Sequence, residues 1–554
     1  MGFYVGIDLG TTNSTVSVIR TEELEDNPLD SLTTCPIYQY DERLHYLTDE
    51  ICLPSALYFD IENRKVYTGR YAKSMYASGD RPMQTARSIK TRMSGESELR
   101  IPGIKDGSIS ESFSMVQCAS FFIRTILQSL KEQYPHEDVA RDVVVTVPAA
   151  FSDDERVATK NAVLLGGFRH CRILDEPTAA LLSYLNSDVV NEEVEEKDVA
   201  RRLVYDIGGG TLDVSIAEAR LNDEDNYDVS VLGLSNRMNL GGDDFDQLLG
   251  ANFLREFEQT TAPLDSYSEE DQNRIIARIV SNAEDYKIKL NEKVLGCDPR
   301  RLARLPPLRV SFSLINSLYV TGQTLSKTKF DDICQVYTNP ASGLLLKPVK
   351  SALKQADLSA GDIDEVILTG GMSHFYSIKD VLHGFFGENV PLSFVEDTRT
   401  SVSRGAAIYH WSLDEDNYCA SVKRLSNISQ RLAGNIYIRR ANEFDLLIDG
   451  KMEKTSGDFS YRMTDSFMTN LPLFLYSGSI EDGADTLTAL AGKHLELQHA
   501  YKEGEEIPLH WSIDKNKVIT INLIEKGYES VTVSRQLTSE KIQNDPVQKY
   551  AVNK

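Results

Sequence analysis

The chain has 554 residues, with 59 Lys and Arg against 83 Asp and Glu and a formal net charge of −24. So acidic a chain suits neither the phosphate backbone of nucleic acid, which demands clustered cations, nor an anionic membrane surface. With 41% hydrophobic and 26% charged residues it has an ordinary globular composition, long enough for about three or four domains.

No uninterrupted apolar run approaches the roughly 18 residues that mark a transmembrane helix. The N-terminus runs at once into strand-like sequence without a basic leader, so no signal peptide is expected. Cys35, Cys52, Cys118, Cys171, Cys297, Cys334 and Cys419 stand singly, with no Cys-x-x-Cys. That argues against a disulfide scaffold or a zinc ribbon and for a reducing, cytoplasmic setting.

Phe3, Val5 and Ile7 lead into the turn Gly10-Thr11-Thr12-Asn13, and Thr15, Val16 and Val18 lead out. Alternation around a small polar turn predicts a hairpin. Apolar spacing predicts helices over 115–133 and 153–165. Between them, Asp142–Phe151 reads as a strand ending in a turn. A helix opens at Glu176-Pro177-Thr178-Ala179-Ala180. Residues 202–217 repeat the first hairpin, with Leu203, Val204 and Tyr205 before Asp206-Ile207-Gly208-Gly209-Gly210-Thr211. An exposed amphipathic helix is expected over 266–292. A second strand and turn follows at Asp364–Met372, then a small-residue helix at Arg404-Gly405-Ala406-Ala407. The acidic stretches Asn191–Lys197 and Asn222–Asp228 read as solvated loops.

The order hairpin, helix, strand, helix therefore occurs twice. It predicts a duplicated α/β unit, one copy over about 1–200 and the other over about 201–411, with a ligand cleft between them. Beyond 411 the texture becomes all-β. Strand-like runs recur at Asn435–Arg439, Phe444–Ile448, Leu471–Tyr476, His494–His499, Pro508–Ile513 and Val518–Ile524. The expected division is 1–411, a linker over 412–429, a β-domain over 430–534 and a tail over 535–554.

A Gly/Thr turn can offer several backbone N–H groups to one phosphate. Two such turns facing each other would grip a polyphosphate from both sides. Asp8 and Asp206 sit at the same offset before each turn, and Mg2+ between them would relieve their repulsion from phosphate. The P-loop and G-x-G-x-x-G signatures are absent, as are H-E-x-x-H and G-x-S-x-G.

The ordered set Gly6–Ser14 (GIDLGTTNS), Val143–Phe151 (VVVTVPAAF), Asp175–Ala180 (DEPTAA), Asp206–Asp213 (DIGGGTLD), Leu240–Asp246 (LGGDDFD) and Ile367–Gly371 (ILTGG) resembles the seventy-kilodalton heat-shock chaperones of DnaK type. The resemblance is continuous over about 1–411. It is weaker over the β-domain, where Pro508–Ile524 carries most of it. It implies a duplicated actin-like, ribonuclease H-like ATPase domain followed by an all-β sandwich. It also implies ATP/ADP with Mg2+, and admits K+ as a further ion. By motif, Gly10, Thr11, Thr12 and Asn13 would form the first phosphate turn and Gly208, Gly209, Gly210 and Thr211 the second, with Gly241 and Gly242 beside it. Asp8 and Asp206 would hold Mg2+ through water. Lys90, in SIKTRMSG, would lie near the γ-phosphate and the attacking water, and Glu176 would organise metal-bound water. Read alone, Lys90 is a surface lysine and Glu176 a helix cap before Pro177. Glu284 and Lys287 would hold the ribose and base, and Gly370-Gly371 would lie beneath the base. Pro148 and Arg156 match the family's relay between domains.

Several positions depart from the family. Met372 and His374 stand where a small serine and a base-stacking arginine are usual, which removes a cation–π contact. The stretch Tyr418–Ser429 lacks the usual aliphatic linker run, and the helical lid is missing. The expected function is an ATP-dependent chaperone binding unfolded polypeptide or one client, with a J-domain co-chaperone and a nucleotide-exchange factor as partners. The rivals are a degenerate nucleotide-binding scaffold that recruits one partner and a small-molecule kinase of the same superfamily.

Overall fold

The structure is a computed structural model. It describes residues 2–553 except 22–26, 42–45, 79–81, 94–96, 103–108, 191–198, 223–226, 236–237, 340–341, 415, 418, 420–421, 430–431, 433, 441–442, 451–453, 465–467, 479, 481–486, 491–492, 526–527, 531–536 and 538. The stretch Asn191–Lys197 and the middle of Asn222–Asp228 lie outside the described residues.

The first sheet is built on β1 (Gly2–Asp8) and β2 (Asn13–Thr21), the hairpin expected from their alternation. Strand β3 (Asp142–Val147) lies parallel to β1, and β4 (His170–Asp175) lies parallel to β3. Val143, Val144, Val145 and Val147 are all buried, as a central parallel strand covered on both faces requires. The second sheet repeats this plan. Strand β5 (Val199–Ile207) pairs antiparallel with β6 (Leu212–Leu221), which pairs antiparallel with β7 (Tyr227–Leu234). On its other side β5 lies parallel to β8 (Glu365–Thr369), and β8 lies parallel to Leu392–Phe394. Order and strand sense match the first sheet, where Thr33–Thr34 stands in the place of β7. Asp8 sits opposite Thr146 and Asp206 opposite Thr369, both at the carboxyl ends of parallel strands. Such ends are where open α/β sheets bind ligands.

Helices α1 (Met115–Gln133) and α2 (Asp153–Gly166) cover the outer face of the first sheet. Each starts with a capping box, Ser114 with Gln117 and Ser152 with Glu155. Helix α3 (Glu176–Leu185) and the last long helix of this region share one core with residues from both sheets, Val144 and Leu174 on one side, Val204 and Ile367 on the other. Helices α4 (Gly242–Thr260) and α5 (Glu269–Leu295) cover the second sheet. The last helix, α6 (Ser401–Ser412), lies so close to α3 that a Cβ on Gly405 would stand 1.8 Å from the Ala179 carbonyl oxygen. It also lies on β1, where a Cβ on Gly6 would stand 2.2 Å from the Ala407 nitrogen. The small residues at both helix starts therefore let the two sheets approach through a thin pair of helices.

Beyond 430, two antiparallel sheets share one core. Ile436, Ile438, Leu471, Leu473 and Leu475 come from one sheet, and Ile507, Leu509, Trp511, Ile521 and Leu523 from the other. Strands fall on the expected runs at Asn435–Arg440, Glu443–Ile448, Met468–Gly478, Lys493–Tyr501, Glu506–Ile513 and Ile519–Glu525, while Ser456–Arg462, Thr488–Ala489 and Tyr528–Ser530 form strands where none was expected.

Among the described residues, several attachments tie this part to the rest. Leu425–Ser429, inside the stretch expected to be a linker, pairs parallel with β7 at the edge of the second sheet. Backbone hydrogen bonds serve this pairing without any aliphatic side-chain motif. The turn between the strands ending at Ile513 and starting at Ile519 reaches β4. There the Ile173 N–H donates to Asn516 Oδ1 at 3.1 Å, and Lys517 Nζ lies 2.5 Å from Asp175 Oδ2. Arg156 Nη2 holds the other Asp175 oxygen at 2.8 Å. Burial would raise the Asp175 pKa, but Arg156 and Lys517 outweigh it and hold the carboxyl below its ordinary value. Burial pushes the Lys517 amine below its ordinary value, against the pull of Asp175.

Residues 539–553, within the stretch expected to be a tail, close the first core. Val547, Tyr550 and Val552 are buried in it, and Ala551–Val552 pairs with Lys65–Val66. Arg124 Nη1 donates to the carbonyls of Val547 and Tyr550 at 2.9 and 3.0 Å. The Thr68 N–H donates to Asn553 Oδ1 at 2.8 Å, and Asn553 Nδ2 donates to Thr68 Oγ1 at 3.0 Å.

Candidate functional site

Each hairpin ends its first strand with an Asp and then turns on small residues. At Gly10 a Cβ would stand 1.9 Å from the Asn13 carbonyl oxygen, so the first turn admits only glycine there. The second turn is closed by the Gly208 N–H donating to the Thr211 carbonyl at 3.0 Å. The two turns meet. A Cβ on Gly209 would stand 1.6 Å from Thr12 Oγ1, and one on Gly210 would stand 2.8 Å from Thr11 Cγ2. The start of α4 packs onto the second turn through the N–H groups of Gly242 and Asp243, bonded to the carbonyls of Gly208 and Gly209 at 3.1 and 2.7 Å.

A cleft of about 240 Å³ opens where the turns face each other. Its walls include Asp8, Gly10, Thr11, Thr12, Asn13, Lys90, Glu176, Asp206, Gly208, Gly209, Thr211, Gly242, Glu284, Lys287, Gly370 and Gly371. Two further residues expected at the site, Gly210 and Gly241, lie behind the wall, where Gly210 abuts Thr11 and Gly241 abuts Gly209. Residues drawn from seven separate stretches of the chain thus converge. A larger hollow of about 920 Å³ opens beside Tyr4, Arg141 and Asp414 and contains none of them; the candidate chemistry lies in the smaller cleft.

The Lys90 amine is ion-paired with the Glu176 carboxylate, and both side chains are buried. Burial disfavours the charged amine, but Glu176, Asp8 and Asp206 outweigh it and raise its pKa. Asp8 is pushed up to about 6, first by burial and then by Glu176, with Lys90 opposing. Thr146 Oγ1 donates to Asp8 Oδ1 at 3.1 Å and fixes its orientation. Asp206 is raised well above its ordinary value by burial and by the carboxylates of Glu176, Asp213 and Asp8. Three carboxylates thus share one ammonium. This excess of negative charge, with the buried and unpartnered Thr12 Oγ1 beside it, fits a divalent cation. Among the described residues no group of three or more His, Cys, Asp or Glu side chains is placed to hold a metal ion directly.

Gly370 has φ +84, and a Cβ there would stand 2.6 Å from Asp206 Oδ1, so this turn needs glycine on both counts. Lys287 Nζ lies 2.8 Å from Asp246 Oδ1 and donates to the Gly242 carbonyl at 2.8 Å. Glu284 pairs with Lys73 at 2.9 Å. Lys73 comes from the N-terminal part of the chain, so this pair spans the cleft, as does Arg87 with Asp243 at 3.5 Å. Met372 is buried against Gly242. The His374 ring stacks on Phe394 at 4.6 Å and 5°, and His374 is not one of the residues lining the cleft.

Sequence reasoning passed over Thr146, Lys73, Arg87 and Asp246 as site residues. Asp246 lay inside a quoted motif, LGGDDFD, and could have been named. Thr146 likewise lay inside the quoted VVVTVPAAF, whereas Lys73 and Arg87 carry no local signal, because only the fold brings them near the cleft.

Gly209→Ala is expected to force the two turns apart. Overpacking of this kind costs about 1–3 kcal/mol, and calorimetry of Mg·ATP binding should show at least a tenfold loss. Unchanged affinity would mean that the turns need not touch.

The sequence profile of the Hsp70 protein family matches residues 4–549. Among curated relatives, the chaperone protein dnaK of Cyanophora paradoxa is 30% identical over 410 residues, covering 74% of this chain and 60% of its own. The corresponding protein of Gracilaria tenuistipitata var. liui is 29% identical over 418 residues, with 74% and 60% covered. The chaperone protein DnaK of Thermotoga petrophila is 30% identical over 415 residues, with 73% and 59% covered. The aligned part thus spans about 60% of the length of these relatives. With repeated sheets, two facing Gly/Thr turns and a family match over nearly its whole length, the chain belongs to the Hsp70 family.

Proposed function

We propose that this protein is an ATP-dependent chaperone that hydrolyses ATP in the cleft between two actin-like lobes. The lobes are residues about 1–200 and 201–411, and the C-terminal sheets over 430–534 form a β-sandwich that binds polypeptide. The observation that carries the reading is the convergence of two Gly/Thr turns, two aspartates and the Lys90–Glu176 pair on one cleft.

The turns would present backbone N–H groups to the β- and γ-phosphates. Asp8 and Asp206 would hold Mg2+ through its waters, and the ion, when bound, neutralises charge on the phosphates. Lys90 would place its ammonium beside the γ-phosphate, and Glu176 would keep that ammonium in place and orient water. Such catalysis is mostly positioning and electrostatics. Glu284 and Lys287 would hold the ribose. A J-domain co-chaperone and a nucleotide-exchange factor are the partners that the family membership suggests.

Single-turnover hydrolysis of ATP with Mg2+, with and without an unfolded peptide, tests this. Turnover that rises with peptide is the expected result. Tight binding without hydrolysis would replace it with a nucleotide-gated scaffold.

A further inference from the structure

The nucleotide cleft has walls that phosphate chemistry does not need. Ile288, Met372, Thr398 and Arg399 also line it. Ile288 is a large apolar side chain left 47% exposed beside the ribose-type residues Glu284 and Lys287. An apolar side chain and a planar cation in one cleft suit the face of a heteroaromatic ring.

We propose that Arg399 supplies the base-facing cation of this cleft, from the turn before α6, in place of the one missing at residue 374. This rests on the reading of the cleft as a nucleotide site. The imidazole at 374 is already engaged, stacked on Phe394, over whose ring Lys379 Nζ also lies, 4.4 Å from the centroid. Arg399 is held instead by Asp397. Its Nε lies 3.2 Å from Asp397 Oδ1 and its Nη2 lies 3.1 Å from Oδ2. Its own N–H donates to Oδ1 at 2.9 Å. This fork holds the guanidinium edge-on to the Asp397 carboxylate. The side chain is 64% exposed yet not free to wander, so stacking on a base costs little further ordering. The pairing also offsets its charge, so the contact it offers is a flat face more than a phosphate attractor.

The test is calorimetry on the full chain with Mg·ATP and with Mg·tripolyphosphate, which lacks base and ribose. Arg399→Ala is expected to weaken ATP binding about 5- to 30-fold, the range of a cation–π contact, and to leave tripolyphosphate binding within about twofold. Arg399→Lys, which keeps the charge but not the plane, should fall between wild type and Arg399→Ala. Equal losses for both ligands, or full ATP affinity in Arg399→Lys, would overturn the stacking role. Full ATP affinity in Arg399→Ala would overturn it too, while leaving the nucleotide site standing. Failure of the wild type to bind ATP at all would remove the nucleotide reading itself, and this proposal with it.

Discussion

Lys90→Ala should bind Mg·ATP and lose at least about 10²-fold of its turnover, the scale of removing one preorganised charge-stabilising group. Asp8, Glu176 and Asp206 all raise the pKa of Lys90. Its side chain is 7% exposed and paired with Glu176, so a role as a free surface lysine is excluded by its position. Without it, three carboxylates would face the phosphates with no ammonium between them. Binding should then lean harder on Mg2+, and chelation should release nucleotide more completely from the variant than from wild type. Quenched-flow measurement of single turnovers gives the rate, and calorimetry gives the affinity. Normal turnover in the variant would remove Lys90 from the chemistry. Loss of binding in proportion to turnover would make it a binding residue only.

Tyr550→Ala should destabilise the protein by about 3 kcal/mol, the low end for removing a buried aromatic ring. Tyr550 is 5% exposed. Its ring lies edge-on to Phe113 at 5.4 Å and to Phe121 at 6.3 Å. Its neighbours anchor the last strand through Arg124 and Asn553. Urea unfolding would measure the loss, and amide exchange would locate it. The Thr68 amide, bonded to Asn553, should exchange faster in the variant. Unchanged protection at Thr68 would show that the last strand holds without the ring.

Much of the fold was legible locally. The hairpins at Asp8 and Asp206 announced themselves by alternation and small turns. Helices over 115–133 and 153–165 followed from apolar spacing and lie at Met115–Gln133 and Asp153–Gly166. The glycines of the cleft were marked by motif, and close contacts explain them, Gly209 against Thr12 and Gly370 against Asp206. The stretch 33–114 was harder, because its short strands alternate weakly and its tyrosine cluster of Tyr40, Tyr58, Tyr67 and Tyr71 forms only on folding.

Contacts between distant parts had no local trace. Tyr418–Ser429 lacks the usual aliphatic run, and Leu425–Ser429 joins the second sheet by backbone pairing. Main-chain hydrogen bonds ask little of side-chain identity, so the absence of a motif says little about such pairing. Lys517 reads as an ordinary charge in a polar turn. Only the packing of that turn on β4 buries it against Asp175 and Arg156.

By itself, then, the sequence determined the repeated α/β plan, the family and the small-residue turns of the cleft, because period, turn chemistry and motif order are local properties of the chain. The tertiary structure alone decided which charges share the cleft, that His374 stacks on Phe394 while Arg399 lines the cleft, and that the last residues complete the first core. Those outcomes depend on which surfaces meet, and the burial and desolvation that follow are properties of the contact and of no single segment.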